Sequence, residues 1–529
     1  MWKRILWGGL PFLLLFALPF VMRLRVEHEA LPAPADADKL VIITANDRVV
    51  CNEFEYAFRE YYRRATGREV AIDWRDVGGS ADIMYYIDDR YAGNFREYYE
   101  DRFPGEWNDE AKSAFSNPKL PADAGGEAKL ARERFVASNV GIGIDIVWGG
   151  GTYDLDKNAK KGYGVDARVA DRHPEYLAED VIPQQFSGEV MYDLGGRYYG
   201  ACLSSFGICY SPDRYRELAL PPPESWDDLG RPELFGAIAI GDPTQSGSIA
   251  KCYEMMIQQK MQECADKDTG WRNGMTLIKR LAANSELVAD SAPKVPIEVA
   301  SGNAAAGLCI DYYGFSEREW KKEVSGGDIR VAYVLPRHGS SLTCDPIQLL
   351  RGAPNRAVAE CFIDFVLSPE GQKIWDFRVG APGGPRLDSP RRPPIRRDFY
   401  RDPLRQYLVD PDYDPYAASA GFEYRADLTG RYFSMIRVFV RCAMLDPIDE
   451  LRAAWKAIIA AGGPEAVPQA WAAFCALPFS YAEAGEMAAK LYTDGIRWTA
   501  LDVAALRRHW TQFARDHYLE AARLAGEGK

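Results

Sequence analysis

The apolar positions near the start of the chain follow two different periodicities. Residues 40–44 (LVIIT) form a short continuous apolar run, which is typical of a buried parallel strand. Asn52 precedes Glu55 by three residues, a capping-box spacing that predicts a helix from there to Thr66, and residues 69–74 predict a second strand. Strand, helix and strand in this order make a βαβ unit, so the sequence predicts an α/β domain.

The same alternation continues to about residue 377. Ser80 is the predicted N-cap of a helix through Met84 and Ile87, and the polar residues 89–135 predict an insertion. Further strands are predicted at residues 143–148, 198–210, 237–240, 304–310 and 331–335. Further helices are predicted after Ser248 and at residues 271–281, 356–367 and 369–377.

The pattern becomes helical towards the C-terminus. Residues 382–397 are dense in Pro, Gly and Arg and predict a loop or linker. The predicted helix starts beyond residue 400 are Asp446-Pro447, as N-cap and first helical residue, and a capping box at Ser480 and Glu483. We therefore predict a helical extension over residues 396–529.

The N-terminus has the pattern of an exported chain. Lys3 and Arg4 precede an apolar run over residues 5–22. This pattern is typical of an export signal, and the length of the run also suits an uncleaved membrane anchor. We predict a signal peptide or membrane anchor at residues 1–25, followed by a tether at residues 26–39, and a periplasmic protein that is either free or tethered to the inner membrane.

Composition excludes several classes of protein. The chain has 529 residues, a net charge of −12 and 47% hydrophobic residues. The apolar content excludes a disordered chain, and the length predicts more than one domain. An acidic balance argues against a general nucleic-acid binder. The ten cysteines permit disulfides in an oxidising compartment, and burial as small hydrophobes is the alternative.

Small or polar clusters follow the predicted strands. In an open α/β sheet, ligands bind beyond the carboxyl ends of the strands, so these clusters predict parts of one cleft. The clusters are Asn46-Asp47, Gly78-Gly79-Ser80, Gly149-Gly150-Gly151-Thr152, Thr244 to Ser248, and Asp311-Tyr312-Tyr313.

Two of these clusters predict a particular ligand chemistry. Ser246-Gly247-Ser248 stands at a strand-to-helix turn, where free N–H groups and the helix dipole attract an anion, and Lys251 one turn later adds charge. The alternative is a plain N-cap. Tyr312-Tyr313 offers two phenolates suited to Fe(III), although adjacent side chains on a strand point to opposite faces.

Motifs of catalysis are missing from the sequence. It contains no GxSxG, P-loop or HExxH motif, and its five histidines are scattered. We therefore expect no enzyme activity. A hydrolase would need a nucleophile paired with a base, and the sequence does not show such a pair.

An ordered series of segments resembles a known family. It contains LVIITAND, GGSADIMYYI, DIVWGGG, YYGACLSSFGICYSPD, AIAIGDPTQSGSIAK, GNAAAGLCIDYYG, RVAYVLPRHGSS and LLRGAPNRAVAECFIDFVLSPEGQKIW in this order, and covers about residues 40–390. The series resembles the type II periplasmic solute-binding proteins of ABC importers, in the branch of ferric-ion, sugar-phosphate, aminoethylphosphonate and thiamine binders.

The resemblance implies a two-lobed α/β fold of the periplasmic-binding-protein type II, with hinge strands near residues 203–209 and 340–345. Lobe one would comprise residues 40–203 and 343–395, and lobe two residues 204–342. The ligand-binding residues would be Asn46, Asp47, Gly79, Ser80, Gly150, Thr152, Ser205, Thr244, Ser246, Gly247, Ser248, Asp311, Tyr312 and Tyr313.

The resemblance also implies the function. The protein would bind a small anionic or phosphorylated organic solute and deliver it to an ABC permease at the inner membrane, as a monomer without a cofactor. Fe(III) with a synergistic anion, bound by Tyr312 and Tyr313, is the alternative, although Asp47 stands where ferric binders often have His, and the Gly79 loop has no obvious Glu ligand. A membrane-anchored sensor or scaffold of the same fold is the alternative from another class. The helical extension would cover lobe one or dock another protein.

Overall fold

The computed structural model of the protein describes residues 34, 36–104, 106–121, 124–324, 326–327, 330–492 and 500–529. Within these ranges, every helix is too short or too polar to cross a bilayer. The predicted signal peptide or anchor at residues 1–25, and most of the predicted tether, fall outside the described residues.

A mixed sheet forms the centre of the molecule. Its strand order is β2-β1-β3-β11-β6-β9-β7-β8, with β10 paired to β6, and β4 and β5 form a separate hairpin. The strands are β1 Asp38–Thr44, β2 Val70–Arg75, β3 Ile146–Trp148, β4 Gln185–Phe186, β5 Glu189–Val190, β6 Tyr199–Tyr210, β7 Ile238–Gly241, β8 Ser285–Ala289, β9 Ala306–Ile310, β10 Ala332–Val334 and β11 Leu342–Leu349.

Strand β6 joins two halves of the sheet. All twelve of its residues are buried. Its first part pairs antiparallel with β11, up to Ser205 opposite Leu342, and its second part pairs antiparallel with β9, from Phe206 opposite Ile310. The partner therefore changes between Ser205 and Phe206, and separate hydrophobic cores form on the two sides of this point.

Helices cover both halves of the sheet. Before the extension they are α1 Arg48–Thr66, α2 Ser80–Arg102, α3 Asp109–Ala114, α4 Gly126–Ala137, α5 Thr152–Lys161, α6 Val169–Arg172, α7 Pro212–Glu217, α8 Gly247–Glu263, α9 Lys267–Asn284, α10 Lys294–Ala300, α11 Asp311–Val324, α12 Arg356–Leu367 and α13 Pro369–Asp376. These elements confirm the predicted α/β class.

Helix α1 starts earlier than predicted. Asp47 is its N-cap, because its Oδ1 accepts a hydrogen bond of 3.0 Å from the backbone N–H of Val50. The predicted start at Asn52 is therefore wrong, whereas the end at Thr66 is confirmed, with Gly67 in the left-handed conformation.

Much of residues 89–135, which the sequence predicts to be a polar insertion, is helical and contributes to the core. Helix α2 continues to Arg102 and buries Tyr91, Phe95 and Tyr99, which stand four residues apart on one helix face. These rings pack with Phe135 of α4 against one face of the first half of the sheet, where β1 presents Ile43. The other face of this half carries a separate core.

The extension folds as a set of helices. They are α14 Pro415–Ala418, α15 Ala426–Thr429, α16 Phe433–Val440, a π-helical turn at Arg441–Leu445, α17 Ile448–Ala460, α18 Pro468–Cys475, α19 Tyr481–Tyr492 and α20 Ala500–Gly526. The capping box at Ser480 and Glu483 is confirmed by reciprocal hydrogen bonds. Asp446 is not the N-cap of α17, because it accepts from Arg441 and the helix starts after Pro447.

The extension covers mainly the second half of the sheet, so the prediction that it covers lobe one is wrong for most of its length. Residues 395–416 share the core of the first half, and residues 422–525 share the core of the second. Trp455 of α17 is buried there, and its indole N–H donates to Asn284 Oδ1 of α9 at 2.8 Å. Helix α17 therefore packs against α9, a partner that the local sequence does not reveal.

The extension also contacts the first half through a short crossing segment. The backbone N–H of Tyr424 donates to the carbonyl of Ser187 at 2.8 Å, and the Ser187 hydroxyl donates to the carbonyl of Phe422 at 2.7 Å. A Cβ on Gly188 would lie 2.0 Å from the Tyr424 carbonyl oxygen, so only glycine fits there. The chain therefore connects the two halves at a place away from β6.

The packing of the extension on α9 can be tested through Lys279. Its ammonium is buried and donates to the carbonyls of Phe474 and Ala476 at 2.9 and 2.7 Å, and burial lowers its pKa from 10.5 to about 8. Because the unfolded chain then binds the extra proton between pH 8 and 10.5, the contribution of Lys279 to the free energy of unfolding rises with pH in this window, by up to about 3 kcal/mol. In urea unfolding, the free energy of wild type minus that of Lys279→Met should therefore rise with pH, because this difference cancels the other groups that titrate in both proteins. A difference that does not change with pH would contradict the assignment.

Candidate functional site

The sheet topology brings several strand ends together. Strands β1, β2 and β3 are mutually parallel, and so are β7, β8 and β9. The loops after parallel neighbouring strands leave the sheet at the same edge. The predicted clusters therefore lie at two edges, one on each side of the point where β6 changes partners.

The first-half loops contact each other closely. A Cβ on Gly149 would lie 3.2 Å from Asn46 Nδ2, and a Cβ on Gly150 would lie 3.1 Å from Ser80 Oγ, so both glycines permit a close approach. Ser80 is the first residue of α2 and not its N-cap. The N-cap is Gly79, whose N–H donates to the side chain of Asp82 at 3.0 Å.

Two other predicted residues of the first half stand at helix starts. Thr152 is the first residue of α5 and is half-buried. Asp47 is exposed, but one of its oxygens caps α1, as described above. Its charge is close enough to raise the pKa of the Tyr313 phenol, although burial is the largest cause of that rise. Asp47 therefore approaches a residue from the other half.

The second-half cluster is centred on Asp311. Its Oδ2 accepts from the Ser205 N–H at 2.8 Å and from the Ser205 hydroxyl at 3.0 Å, and its Oδ1 accepts from the Tyr312 N–H at 2.8 Å. Burial raises the pKa of Asp311 to about 7, against the opposing effect of Arg392 and these hydrogen bonds. Asp311 is thus partly protonated at neutral pH.

Tyr312 and Tyr313, which follow a predicted strand, lie in the first turn of a helix. Helix α11 begins directly after β9, so the alternation of side chains along a strand does not apply to them. Their ring centroids are 4.1 Å apart, and burial is the main cause that raises both pKa values. The two phenols therefore face the same region.

Arg392 connects these clusters, and the sequence did not single it out. Its guanidinium donates to Asn46 Oδ1 at 2.9 Å and forms an ion pair with Asp345. The guanidinium carbon lies 4.5 Å from the Tyr312 ring centre and 5.6 Å from that of Trp375. Arg392 thus contacts residues of both halves.

The position of Arg392 depends on a loop that resembles a linker in sequence. The loop runs along β6, where the Leu203 N–H donates to the Pro393 carbonyl at 2.8 Å, and the Arg392 N–H donates to the Trp375 carbonyl at 3.0 Å. The available signal was an Arg-Arg pair within a proline-rich segment. That signal does not show which arginine becomes buried.

Two donors at this site are buried without an acceptor. Among the described residues, Arg392 Nε and Asn46 Nδ2 have no hydrogen-bond partner. The bond from Arg392 to Asn46 Oδ1 fixes the orientation of the amide, so Nδ2 is the free group. A buried donor without a partner costs about 1–3 kcal/mol, so this pair is suited to an acceptor such as an anionic oxygen.

The serine turn is intact. Ser246 is the N-cap of α8, and its Oγ accepts from the Ile249 N–H at 3.3 Å and lies 3.2 Å from Ser248 Oγ. Gly247 is the first residue of α8, where a Cβ would meet no atom within 4 Å. Thr244 donates its hydroxyl to Asp242 at 2.7 Å and is therefore already bonded.

The sequence predicted that Lys251 adds charge to this turn, but the structure pairs its charge with two glutamates instead. Its ammonium lies 2.9 Å from Glu254 Oε2, 3.8 Å from Glu189 Oε1 and 4.1 Å from the Tyr424 ring centre. Burial alone would lower the pKa of Lys251, but the two glutamates raise it overall. Its charge therefore joins the two halves and the extension.

The extension supplies another arginine to the turn. Arg437 of α16 donates to the carbonyls of Pro243 and Thr244 at 2.7 and 3.0 Å. It also counteracts the burial that raises the pKa of Asp154, in the first turn of α5. Arg437 is about 190 residues from the turn in sequence, so no local pattern reveals this contact.

The described residues contain no cluster of three or more His, Cys, Asp or Glu side chains suited to a metal, and all ten cysteines are unpaired.

Comparison with known proteins identifies part of the chain. Residues 174–394 match the family of bacterial extracellular solute-binding proteins. The match agrees with the resemblance seen in the sequence at the level of an extracellular solute-binding protein, and this matched segment includes β6, the serine turn, the tyrosine pair and Arg392.

Individual relatives are more distant. The phosphoglycerate transport regulatory protein PgtC of Salmonella typhimurium is 26% identical over 240 residues, which are 45% of this chain and 56% of that protein. The putrescine/agmatine-binding protein of Pseudomonas aeruginosa is 26% identical over 208 residues, 37% of this chain and 54% of that protein. The chain thus spans little more than half the length of these curated relatives. Iron-bound HitA from Pseudomonas aeruginosa aligns with a TM-score of 0.47 and 16% identity over 76% of this chain and 98% of that chain.

The ion pair of Arg392 and Asp345 can be tested by a double-mutant cycle. Removing one partner of a buried pair leaves the other charge uncompensated and typically costs about 3–5 kcal/mol. Arg392→Met should therefore lower the free energy of unfolding by several kcal/mol, and the double variant with Asp345→Asn should lose less than the sum of the single losses. Strictly additive losses in urea unfolding would contradict a direct ion pair.

Proposed function

We propose that the protein is the solute-binding component of an ABC importer and holds a small anionic or phosphorylated organic solute between two lobes. The lobes are residues 40–203 with 343–395, and residues 204–342. The observation that carries this proposal is the pair of unpartnered donors on Arg392 and Asn46 at the junction of the two halves.

The chemistry of these donors favours an anion. A guanidinium presents its N–H groups in a planar fork that matches the oxygens of a carboxylate or phosphate. Arg392 uses one edge on Asn46 and Asp345, so an oxygen at Nε would complete its hydrogen bonds. The same oxygen or its neighbour would accept from Asn46 Nδ2.

The surrounding charges are compatible with this ligand. Asp345 is neutralised by Arg392, and the raised pKa of Asp311 reduces the negative charge near neutral pH. The N-terminus of the 17-residue helix α8 contributes a positive dipole end at Ser246 and Ser248.

The family match supports a solute-binding role, and one relative supports the class of solute. The name of the Salmonella relative refers to phosphoglycerate transport. We infer an exported protein that passes its solute to a membrane permease. Arg392 would close the cleft over the solute, because it contacts Asn46 on one side and Tyr312 on the other.

Calorimetry with 3-phosphoglycerate, putrescine and ferric citrate tests this proposal. We expect 3-phosphoglycerate to bind to the wild-type protein. The double change Ser246→Ala and Ser248→Ala should weaken the affinity for 3-phosphoglycerate at least tenfold, because each hydrogen bond to a charged group contributes about 1.5–3 kcal/mol. The exposed serines 113 and 301 provide a matched control, Ser113→Ala with Ser301→Ala, which should leave affinity unchanged. Binding of putrescine without 3-phosphoglycerate would refute an anionic solute.

Ferric iron is the second candidate, favoured by the side-by-side rings of Tyr312 and Tyr313. Against it, the cationic guanidinium of Arg392 stands 4.5 Å from the Tyr312 ring centre and would repel a trivalent cation. We therefore expect protein mixed with ferric citrate to show no visible phenolate-to-iron absorption band. A band that is lost in Tyr312→Phe but retained in Tyr56→Phe would establish the ferric function instead.

A further inference from the structure

The extension forms a second polar site, a groove of about 860 Å³ between α16, the π-helical turn and α20. Five arginines line it, together with apolar atoms of Val438 and Cys442. The arginines are Arg437, Arg441, Arg507, Arg508 and Arg515. Apart from Thr244, the lining residues all follow the matched segment, so the groove is a property of the extension.

Three of these arginines have defined partners. Arg441 pairs with Asp242 at 2.6 Å and with Asp446 at 2.7 Å, and Arg515 pairs with Glu450 at 2.7 Å. These bonds hold the two cations in place and compensate their charge. Arg437 donates to two backbone carbonyls, which fix its position without neutralising it, and its charge opposes the burial that raises the pKa of Asp154.

Arg507 and Arg508 differ from the other arginines of α20. Both are exposed, and neither forms an ion pair with a carboxylate within the described part of the chain. Arg523 on the same helix, by contrast, binds both Glu520 and Glu527. The groove of this chain of net charge −12 thus holds three arginines, Arg437, Arg507 and Arg508, without an ion pair among the described residues. The one acid in its lining, Asp446, pairs with Arg441.

We propose that this groove binds a ligand that carries two or more negative charges on phosphate groups. Phosphate oxygens match the fork of a guanidinium, and several forks on opposite walls would hold a polyanion more strongly than a single charge. The volume lies within the range of about 300–1,000 Å³ that is common for small-molecule sites. Val438 and Cys442 provide contact area for an organic portion.

The groove is a separate site that borders the proposed cleft. Thr244 belongs to its lining, whereas Ser246 and Ser248, which follow in the same turn, do not. The phosphate chemistry is shared by soluble phosphate esters and by the headgroups of anionic lipids, so the experiment uses one probe for each source.

The first arm measures inorganic pyrophosphate by calorimetry on the full chain carrying Ser246→Ala and Ser248→Ala, which weakens the cleft. Adding Arg507→Ala and Arg508→Ala should reduce the affinity at least tenfold. Adding Arg216→Ala and Arg523→Ala removes the same charge from exposed arginines outside the groove and should leave it unchanged. Thermal unfolding by circular dichroism checks that all variants are folded, and Arg508→Gln alone gives a milder second variant.

The second arm measures sedimentation with phosphatidylglycerol vesicles on the same proteins. Pyrophosphate binding that is lost only with the groove pair supports a soluble phosphate ester, and vesicle binding lost only with that pair supports a lipid headgroup. Absence of both, or an equal loss in the control pair, overturns the groove as a site. Because these results do not depend on 3-phosphoglycerate, they are distinguishable from failure of the cleft proposal.

Discussion

The buried guanidinium of Arg392 is the interaction on which the candidate site depends. Its ion pair with Asp345 compensates the cost of removing both charges from water, and its bond to Asn46 fixes the first-half loop. Its stacking on Tyr312 brings the second half into the same arrangement. A cation held in this way has little freedom to reorient, so a ligand that uses its free edge meets a preorganised donor. Such preorganisation improves affinity by reducing the entropy lost on binding.

The extension changes how the two halves are connected. Strand β6 and the passage from β10 to β11 alone would leave a simple hinge near Ser205 and Leu342, but the Tyr424 segment and the Lys251 network add connections that involve both halves. Glu189 belongs to the first half and Glu254 to the second, so the shared lysine is sensitive to their separation. Any opening of the halves must therefore accommodate a strained or broken ion pair. The extension therefore connects the two halves that form the site, in addition to covering the second core.

Local patterns predicted the elements but not the long-range partners. Continuous apolar runs placed seven strands close to their observed bounds, because burial on both faces leaves a clear signature, and the twelve buried residues of β6 are the best example. The short strands β4 and β5, the strand β8 and the central strand β11 were not predicted from such runs. The helical nature of residues 89–102 was obscured by polar residues between Tyr91, Phe95 and Tyr99. The candidate site was predicted where strand ends carry Gly, Ser or Asn. Arg392 and Arg437 were not predicted as site residues, because each reaches the site from a segment whose own composition is ordinary for a loop or a helix.

We propose above all that an anionic oxygen completes the hydrogen bonds of Arg392 and Asn46. A crystal structure of the protein with 3-phosphoglycerate tests this proposal most directly. We predict a phosphate or carboxylate oxygen at about 2.7–3.0 Å from Arg392 Nε and within hydrogen-bond distance of Asn46 Nδ2. A ligand bound elsewhere, with both donors still unpartnered, would contradict it.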